Sequence, residues 1–149
     1  MRDSERRWVA GFVANIGEAT TALSELWAFF YGLVLAWKYG IRALRIESDS
    51  QLDIQLINSR HDPVHPYATL LAAIRRKLGQ DWLVNITHTY REGNRAADWL
   101  SKHSLVYPYD MHELVNQPHG LASILQDDLM GIAFERRVVA TSSSSSSRL

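Results

Sequence analysis

Three stretches of alternating apolar and polar residues, separated by helical patterns, constrain the fold of this chain more than any other feature. They span residues 8–15, 42–49 and 82–90. A period of two predicts strands. Because helices intervene between these strands, the order favours parallel pairing and an α/β domain in which helices cover a sheet.

The longest helical pattern, Ala22–Tyr39, is apolar nearly all round. Such a helix is expected to be buried against other elements. Thr20 or Thr21 is suited to cap its start, and Gly40 is suited to end it.

Three shorter helical patterns span residues 50–59, 66–79 and 95–103. The second begins with Pro66, a residue favoured at the first helical position. The third follows Asn94, which is suited to act as its N-cap.

The composition excludes several classes of function. The chain has no Cys, which rules out disulfide scaffolds, Cys-ligated zinc and thiol catalysis. Its longest uncharged apolar run, Leu26–Trp37, falls short of the roughly 20 residues that span a bilayer. With no secretory signal visible, we expect an intracellular protein without membrane contact. Lys plus Arg equals Asp plus Glu at 16 each, so no strongly basic tail is present.

The patterns predict three segments along the chain. Residues 1–104 hold the alternating strands and helices of the α/β domain. Residues 105–140 form a C-terminal extension with one weak helical pattern over 121–130. Residues 141–149 include six consecutive serines and predict a disordered tail.

Three carboxylates fall at the ends of predicted elements. Glu25 lies near the start of the long helix, Asp49 closes the second strand, and Asp98 lies one turn into the last helix. In a layered α/β fold, strand ends and nearby helix starts meet on one rim. Acids gathered there repel one another unless a cation intervenes, and Mg²⁺ prefers carboxylate and water oxygens. The pattern therefore predicts a divalent metal site.

Each acid also has an ordinary structural explanation. Glu25 would complement a helix dipole, Asp49 would cap the helix from Ser50, and Asp98 would pair with Lys102 four residues on.

Two further features carry alternatives. His88 is either a general base or proton shuttle, or a structural histidine within a strand. The basic run Arg75–Lys77 either contacts a phosphate backbone or forms a solvated helix face.

Three separated motifs resemble a known family. In chain order they are SELWAFFYGLVLAWKYG (24–40), LRIESDSQLDIQLINS (44–59) and HTYREGNRAADWLSKHS (88–104). Together they resemble the ribonuclease H-like domain over residues 1–104, and most closely the plant branch related to non-LTR retroelement reverse transcriptases. The resemblance implies a layered fold with a mixed sheet flanked by helices. It also implies nucleic-acid binding and two-metal hydrolysis of the RNA strand of RNA–DNA hybrids with Mg²⁺ or Mn²⁺.

Carried over residue by residue, the resemblance implies a catalytic and metal-binding set of Glu25, Asp49 and Asp98. It implies that Asn94 caps the last helix and approaches the hybrid. It places His88 near a histidine of the family, so Asn94 and His88 are the implied substrate-binding residues.

The chain departs from the family pattern at its start. Nothing here matches the family's first aspartate, so we expect the domain to lack the first strand and most of the second. The strand at 8–15 would then have an unpaired edge or border a gap in the sheet. The expected consequence is impaired hydrolysis.

Two other functions stay open. One is a catalytically inactive remnant that binds nucleic acid or protein. The other is an interaction module unrelated to nucleic acid. The sequence leaves the oligomeric state undefined.

Overall fold

A computed structural model describes residues 1–129. Its strands and helices in chain order are β1 (Gly11–Asn15), α1 (Thr21–Lys38), β2 (Ala43–Ser48), α2 (Gln51–Asn58), α3 (Ala68–Leu78), β3 (Leu83–His88), α4 (Arg95–His103), β4 (Asp110–Leu114) and α5 (Ala122–Leu129). The predicted α/β class and the alternation of strands with helices are confirmed.

The strands form two separate pairs within the described part of the chain. β2 and β3 are parallel, in a register that runs from Ala43 opposite Leu83 to Ser48 opposite His88. β1 and β4 are antiparallel, in a register from Gly11 opposite Leu114 to Asn15 opposite Asp110. Parallel and antiparallel pairing are thus both present, but in two sheets instead of one continuous mixed sheet.

The α1 helix has the predicted extent and caps. The Thr20 hydroxyl accepts a hydrogen bond from the Leu23 N–H at 3.2 Å, which satisfies one of the free donors at the helix start. Gly40 follows the helix with a φ of +74°, a conformation that favours glycine, and its N–H bonds to the Trp37 carbonyl. The residues that α1 buries in the main core include Leu26, Phe29, Leu33 and Leu35.

The α3 helix starts later than predicted. Pro66 lies two residues before its first residue, Ala68, and Tyr67 is the N-cap. The Tyr67 N–H donates to Nδ1 of His65 at 3.1 Å, so a histidine side chain fixes the turn before the helix. Proline therefore belongs to this turn and not to the first helical position.

The C-terminal extension contributes a strand that the sequence pattern did not reveal. β4 covers one edge of β1, and within residues 1–129 no other strand pairs with the opposite edge, so the separation of the two sheets agrees with the expected unpaired edge or gap. α5 agrees with the predicted helix. A second buried cluster joins the two ends of the described chain and consists of Val13, Ala96, Leu100, Leu121 and Leu125.

The structure bears only in part on two further predictions, the division of the chain into segments and the absence of membrane contact. The serine run lies outside the described residues, and the boundaries near 104 and 140 stay predictions. Within residues 1–129, the structure contains no helix with the length and apolar character needed to cross a membrane.

Candidate metal centre

The C-terminal end of β2 leads directly into α2 through Asp49 and Ser50. Ser50 is the N-cap, and its hydroxyl accepts a hydrogen bond from the Asp53 N–H at 3.2 Å. The Ser50 N–H in turn donates to the Ser48 hydroxyl at 3.1 Å. Because Ser50 caps α2, the capping role considered for Asp49 is filled by its neighbour.

Glu25 lies deeper in α1 than the sequence indicated. The helix begins at Thr21 and has no acidic residue in its first turn, so a dipole role does not account for Glu25. Its side chain is buried, with 5% of the residue exposed. Burial, followed by the neighbouring Asp53 carboxyl group, raises the pKa of Glu25 to about 9, while a hydrogen bond from Ser50 opposes the shift.

One cavity of about 570 Å³ joins the acids of α1 and α2 with the end of β2. Its lining includes Glu25, Asp49, Ser50, Asp53 and Arg91. The Arg91 Nε lies 3.9 Å from Oδ2 of Asp49. Burial raises the pKa of Asp49, and the charge of Arg91 opposes that rise.

Asp98 on α4 influences the cavity electrostatically, through its effect on Asp49. Its charge raises the pKa of Asp49, although burial contributes more to that rise. Asp98 also pairs with Lys102, with Oδ2 and Nζ 2.9 Å apart. The structure therefore contains the i,i+4 ion pair that the sequence offered as an alternative, whereas Asp98 does not line the cavity of Glu25 and Asp49.

His88 lies at the rim where β3 ends, opposite Ser48 in the register. It is exposed, and its ring lies edge-on to Tyr90 with centroids 5.5 Å apart. Its positive charge lowers the pKa of Asp49 as one of several opposing influences. His88 thus shares the rim with the predicted acids.

Asn94 is the N-cap of α4 by position, but the expected side-chain cap is wrong. Its carbonyl accepts from the Asp98 N–H at 3.1 Å, while its side chain makes no capping bond. The residue is 3% exposed, and neither its amide nitrogen nor its amide oxygen has a hydrogen-bond partner in the structure. The backbone turn, and not the amide, starts the helix.

Carboxylates are suitable ligands for a hard cation, but the acids at this site are not oriented to coordinate one ion together. In the part of the chain that the structure describes, no three His, Cys, Asp or Glu side chains are arranged to hold a metal ion. The donor set nevertheless consists of carboxylate oxygens, and both oxygens of buried Asp53 lack a hydrogen-bond partner. Oxygen donors of this kind suit Mg²⁺ or Mn²⁺. Binding would require the side chains to turn towards one another.

Sequence reasoning missed Asp53 and Arg91. A signal for Asp53 exists, because Asp53 and Ile57 are spaced one helical turn apart and are the buried residues of α2. An acid in register with an apolar position points inward. Arg91 carries no comparable signal, since it lies in a short 3₁₀ turn after β3.

The basic run on α3 is partly used by the fold. The Arg75 guanidinium donates to the carbonyls that end α2, at 2.8 Å to Leu56, 3.2 Å to Ile57 and 3.2 Å to Ser59. These bonds satisfy helix-end carbonyls. Arg75 therefore stabilises the α2–α3 contact and is not a free phosphate ligand.

The described fold is an α/β domain with two of its acids in one cavity beside the end of the parallel sheet. The chain belongs to the reverse transcriptase-like family, whose model matches residues 1–104, and it carries a ribonuclease H-like domain. A protein of Arabidopsis thaliana named as a ribonuclease H protein is 33% identical over 138 residues, which is 93% of this chain and 22% of that protein. The chain therefore spans about a fifth of the length of this relative. No solved structure matches the chain at comparable significance.

Proposed function

We propose that this domain binds RNA–DNA hybrids and hydrolyses their RNA strand with the help of divalent cations. The observation that carries the proposal is the single cavity that Glu25 and Asp49 share beside the end of β2. The field of Asp98 reaches Asp49 from α4. The shared cavity of Glu25 and Asp49 and the effect of the Asp98 charge on Asp49 support the proposal that these acids act together.

Glu25, Asp49 and Asp98 are the residues that would hold Mg²⁺ or Mn²⁺. Such ions, when bound, activate water and stabilise the leaving oxygen of a phosphodiester. The protein's own contribution is to fix the carboxylates on α1, β2 and α4. Burial raises the pKa of both Glu25 and Asp49, so a cation that binds them must displace a proton from Glu25 at neutral pH, and metal binding should strengthen as the pH rises.

Arg91 and His88 are suited to contact the nucleic acid at the mouth of the cavity. The Arg91 side chain is 70% exposed, and its guanidinium faces Asp49 at a distance too long for a strong ion pair. A guanidinium in this position would bind a backbone phosphate with two parallel hydrogen bonds. Contacts to phosphates and to 2′-hydroxyls would recognise the A-form shape of a hybrid more than its sequence.

We further propose that hydrolysis is slow. Asp98 is already neutralised by Lys102 at 2.9 Å, and a cation must compete with that ammonium group. The remaining acids must also turn towards one another before they coordinate an ion. Both requirements lower the affinity for metal and the rate.

The proposal is tested with a labelled RNA–DNA hybrid in Mg²⁺, in Mn²⁺ and in chelator. We expect hybrid binding that weakens steeply with salt, and slow cleavage that requires metal and is abolished by Asp49→Asn. Asp81→Asn is the matched control, because Asp81 is exposed and lies before β3, at the opposite end of that strand. It should cleave as the wild type does.

A second candidate is an inactive domain that only binds nucleic acid, which the Asp98–Lys102 pair favours. Salt-dependent hybrid binding without cleavage in either metal would select this alternative. Absence of hybrid binding at low salt would overturn both.

A further inference from the structure

Asp53 is a fully buried acid without a hydrogen-bond partner for its side chain. The residue is 0% exposed, and neither carboxylate oxygen has a partner in the structure. Burial of a carboxylate in this condition is unfavourable unless a proton or a cation compensates its charge.

The usual role for an acid at this helical position is already filled. Ser50 and Asp53 have the spacing of a capping box, in which the acid would accept a hydrogen bond from the N–H of the cap residue. Here the Ser50 N–H donates to the Ser48 hydroxyl instead. The Asp53 carboxylate is therefore not needed to start α2.

The surroundings of Asp53 supply more negative charge and an opening. Its carboxyl group lies against that of Glu25, and the raised pKa of Glu25 reflects a hydrogen bond between the two carboxyl groups, which forms only while one of them carries a proton. A cation bound between them would take the place of that proton. Asp53 lines the cavity that Glu25 and Asp49 share. The nearby cation, Arg91, is directed to Asp49 at 3.9 Å. The cavity side is thus where a positive ion would reach both buried acids.

We propose that Asp53 is a further ligand for a divalent cation, so that it joins Glu25, Asp49 and Asp98 as a fourth acid of the same centre. The inference rests on the proposed function, because it adds a carboxylate to the same centre. It concerns this chain's own sequence, since Asp53 lies outside the set of acids that the family resemblance implies.

The test is a Mn²⁺ titration of the full chain at constant pH, with free ion followed by electron paramagnetic resonance. Four proteins are compared: wild type, Asp53→Asn, Asp49→Asn and the control Asp81→Asn. We expect Asp53→Asn to raise the dissociation constant by about tenfold or more, as loss of a metal-supporting group does. Asp81→Asn should match the wild type.

The outcomes separate this inference from the proposed function. An unchanged dissociation constant in Asp53→Asn, with binding lost in Asp49→Asn, would overturn the role of Asp53 alone. Absence of Mn²⁺ binding by the wild type would overturn both.

Thermal unfolding in chelator tests the premise that the buried Asp53 carboxylate does not stabilise the fold when no cation is bound. The amide of Asp53→Asn has the shape of the carboxylate without its charge, so the variant should unfold at or above the wild-type temperature. Failure of this variant to fold would show that the carboxylate itself supports the structure, and would also overturn the inference.

Discussion

The two sheets of this protein differ in what they do. β2 and β3 both lie within residues 1–104, and His88 and the cavity lined by Glu25 and Asp49 lie where these strands end. β1 has a strand partner from outside that range, β4, and its surroundings consist of apolar packing and side-chain bonds such as that from the Trp8 indole to the Val115 carbonyl at 3.0 Å. The parallel sheet ends at the cavity that Glu25 and Asp49 line, and the antiparallel sheet joins the extension to the rest of the fold.

Because the two sheets differ in this way, we expect substitutions around the antiparallel sheet to change stability while metal binding stays largely unchanged. Contacts that join β1, α4 and the extension should affect the free energy of unfolding without changing metal binding by the folded protein. Contacts at the start of α2 should affect both. The following substitutions separate these effects, beginning with the largest.

Leu121→Ala should produce the largest loss of stability. Leu121 is 0% exposed in the cluster that joins the extension to α4. Removing a buried leucine side chain costs about 2–5 kcal/mol, through lost burial and the cavity left behind. Urea unfolding measures this cost, and the Mn²⁺ dissociation constant of the folded variant should stay at the wild-type value.

Leu105→Ala is the matched control, because Leu105 lies in the same extension but is 62% exposed. It should change the free energy of unfolding by less than about 0.5 kcal/mol. Equal effects of the two substitutions would show that the extension does not pack as described.

Gly120→Ala should destabilise the same contact by a smaller amount. A β-carbon at this position would lie 2.2 Å from Cζ2 of Trp99, so the indole or the turn must shift. Overpacking of this kind costs about 1–3 kcal/mol in unfolding free energy. Gly79→Ala is the comparison, since its nearest new contact is the Arg75 carbonyl at 3.4 Å. Similar cost at both positions would argue against close packing of Trp99 on the extension.

Ser50→Ala tests the start of α2, which directly follows the parallel sheet. The variant loses the hydroxyl that accepts from the Asp53 N–H, and loss of such a cap costs about 1 kcal/mol. It also removes the hydrogen bond that lowers the pKa of Glu25, so that pKa should rise further. Unlike the substitutions in the extension, this one should also change Mn²⁺ affinity. An unaltered affinity would separate the start of α2 from the metal centre.

Sequence patterns predicted the parallel sheet well, because its determinants are local. The alternation in β2 and β3, the apolar surface of α1 and the span of α4 are each set within one segment. The rule that strand ends share a rim then brought Glu25 and Asp49 to one cavity without further information. Their detailed orientation depends on tertiary contacts, which no local pattern contains.

The sequence did not reveal β4, and the helical spacing of Asp53 with Ile57 indicated only that Asp53 is buried and not what it does, for two different physical reasons. β4 pairs with a strand almost one hundred residues earlier, and its sequence DMHEL has little apolar alternation. Asp53 follows Ser50 at the spacing of a capping box, so the local pattern indicates an ordinary cap. Its isolation from hydrogen-bond donors arises only when α2 packs against Glu25 of α1.

Glu113→Gln should have the smallest effect and a distinctive pH dependence. On β4, Glu113 accepts hydrogen bonds from Lys38 at 2.5 Å and from the Tyr39 hydroxyl, joining the end of α1 to the antiparallel sheet. These bonds hold the pKa of Glu113 below its usual 4.5. The stabilisation is therefore fully present above pH 4.5 and is lost as the pH falls through the lowered pKa of the folded state. The difference in unfolding free energy between wild type and variant should be constant from pH 7 to pH 5 and should vanish at lower pH. Because the pair is exposed, added salt should reduce it. A difference that grows on acidification would show that the bonds to Lys38 and Tyr39 do not stabilise the ionised carboxylate, and that the contact between β4 and α1 depends on apolar packing alone.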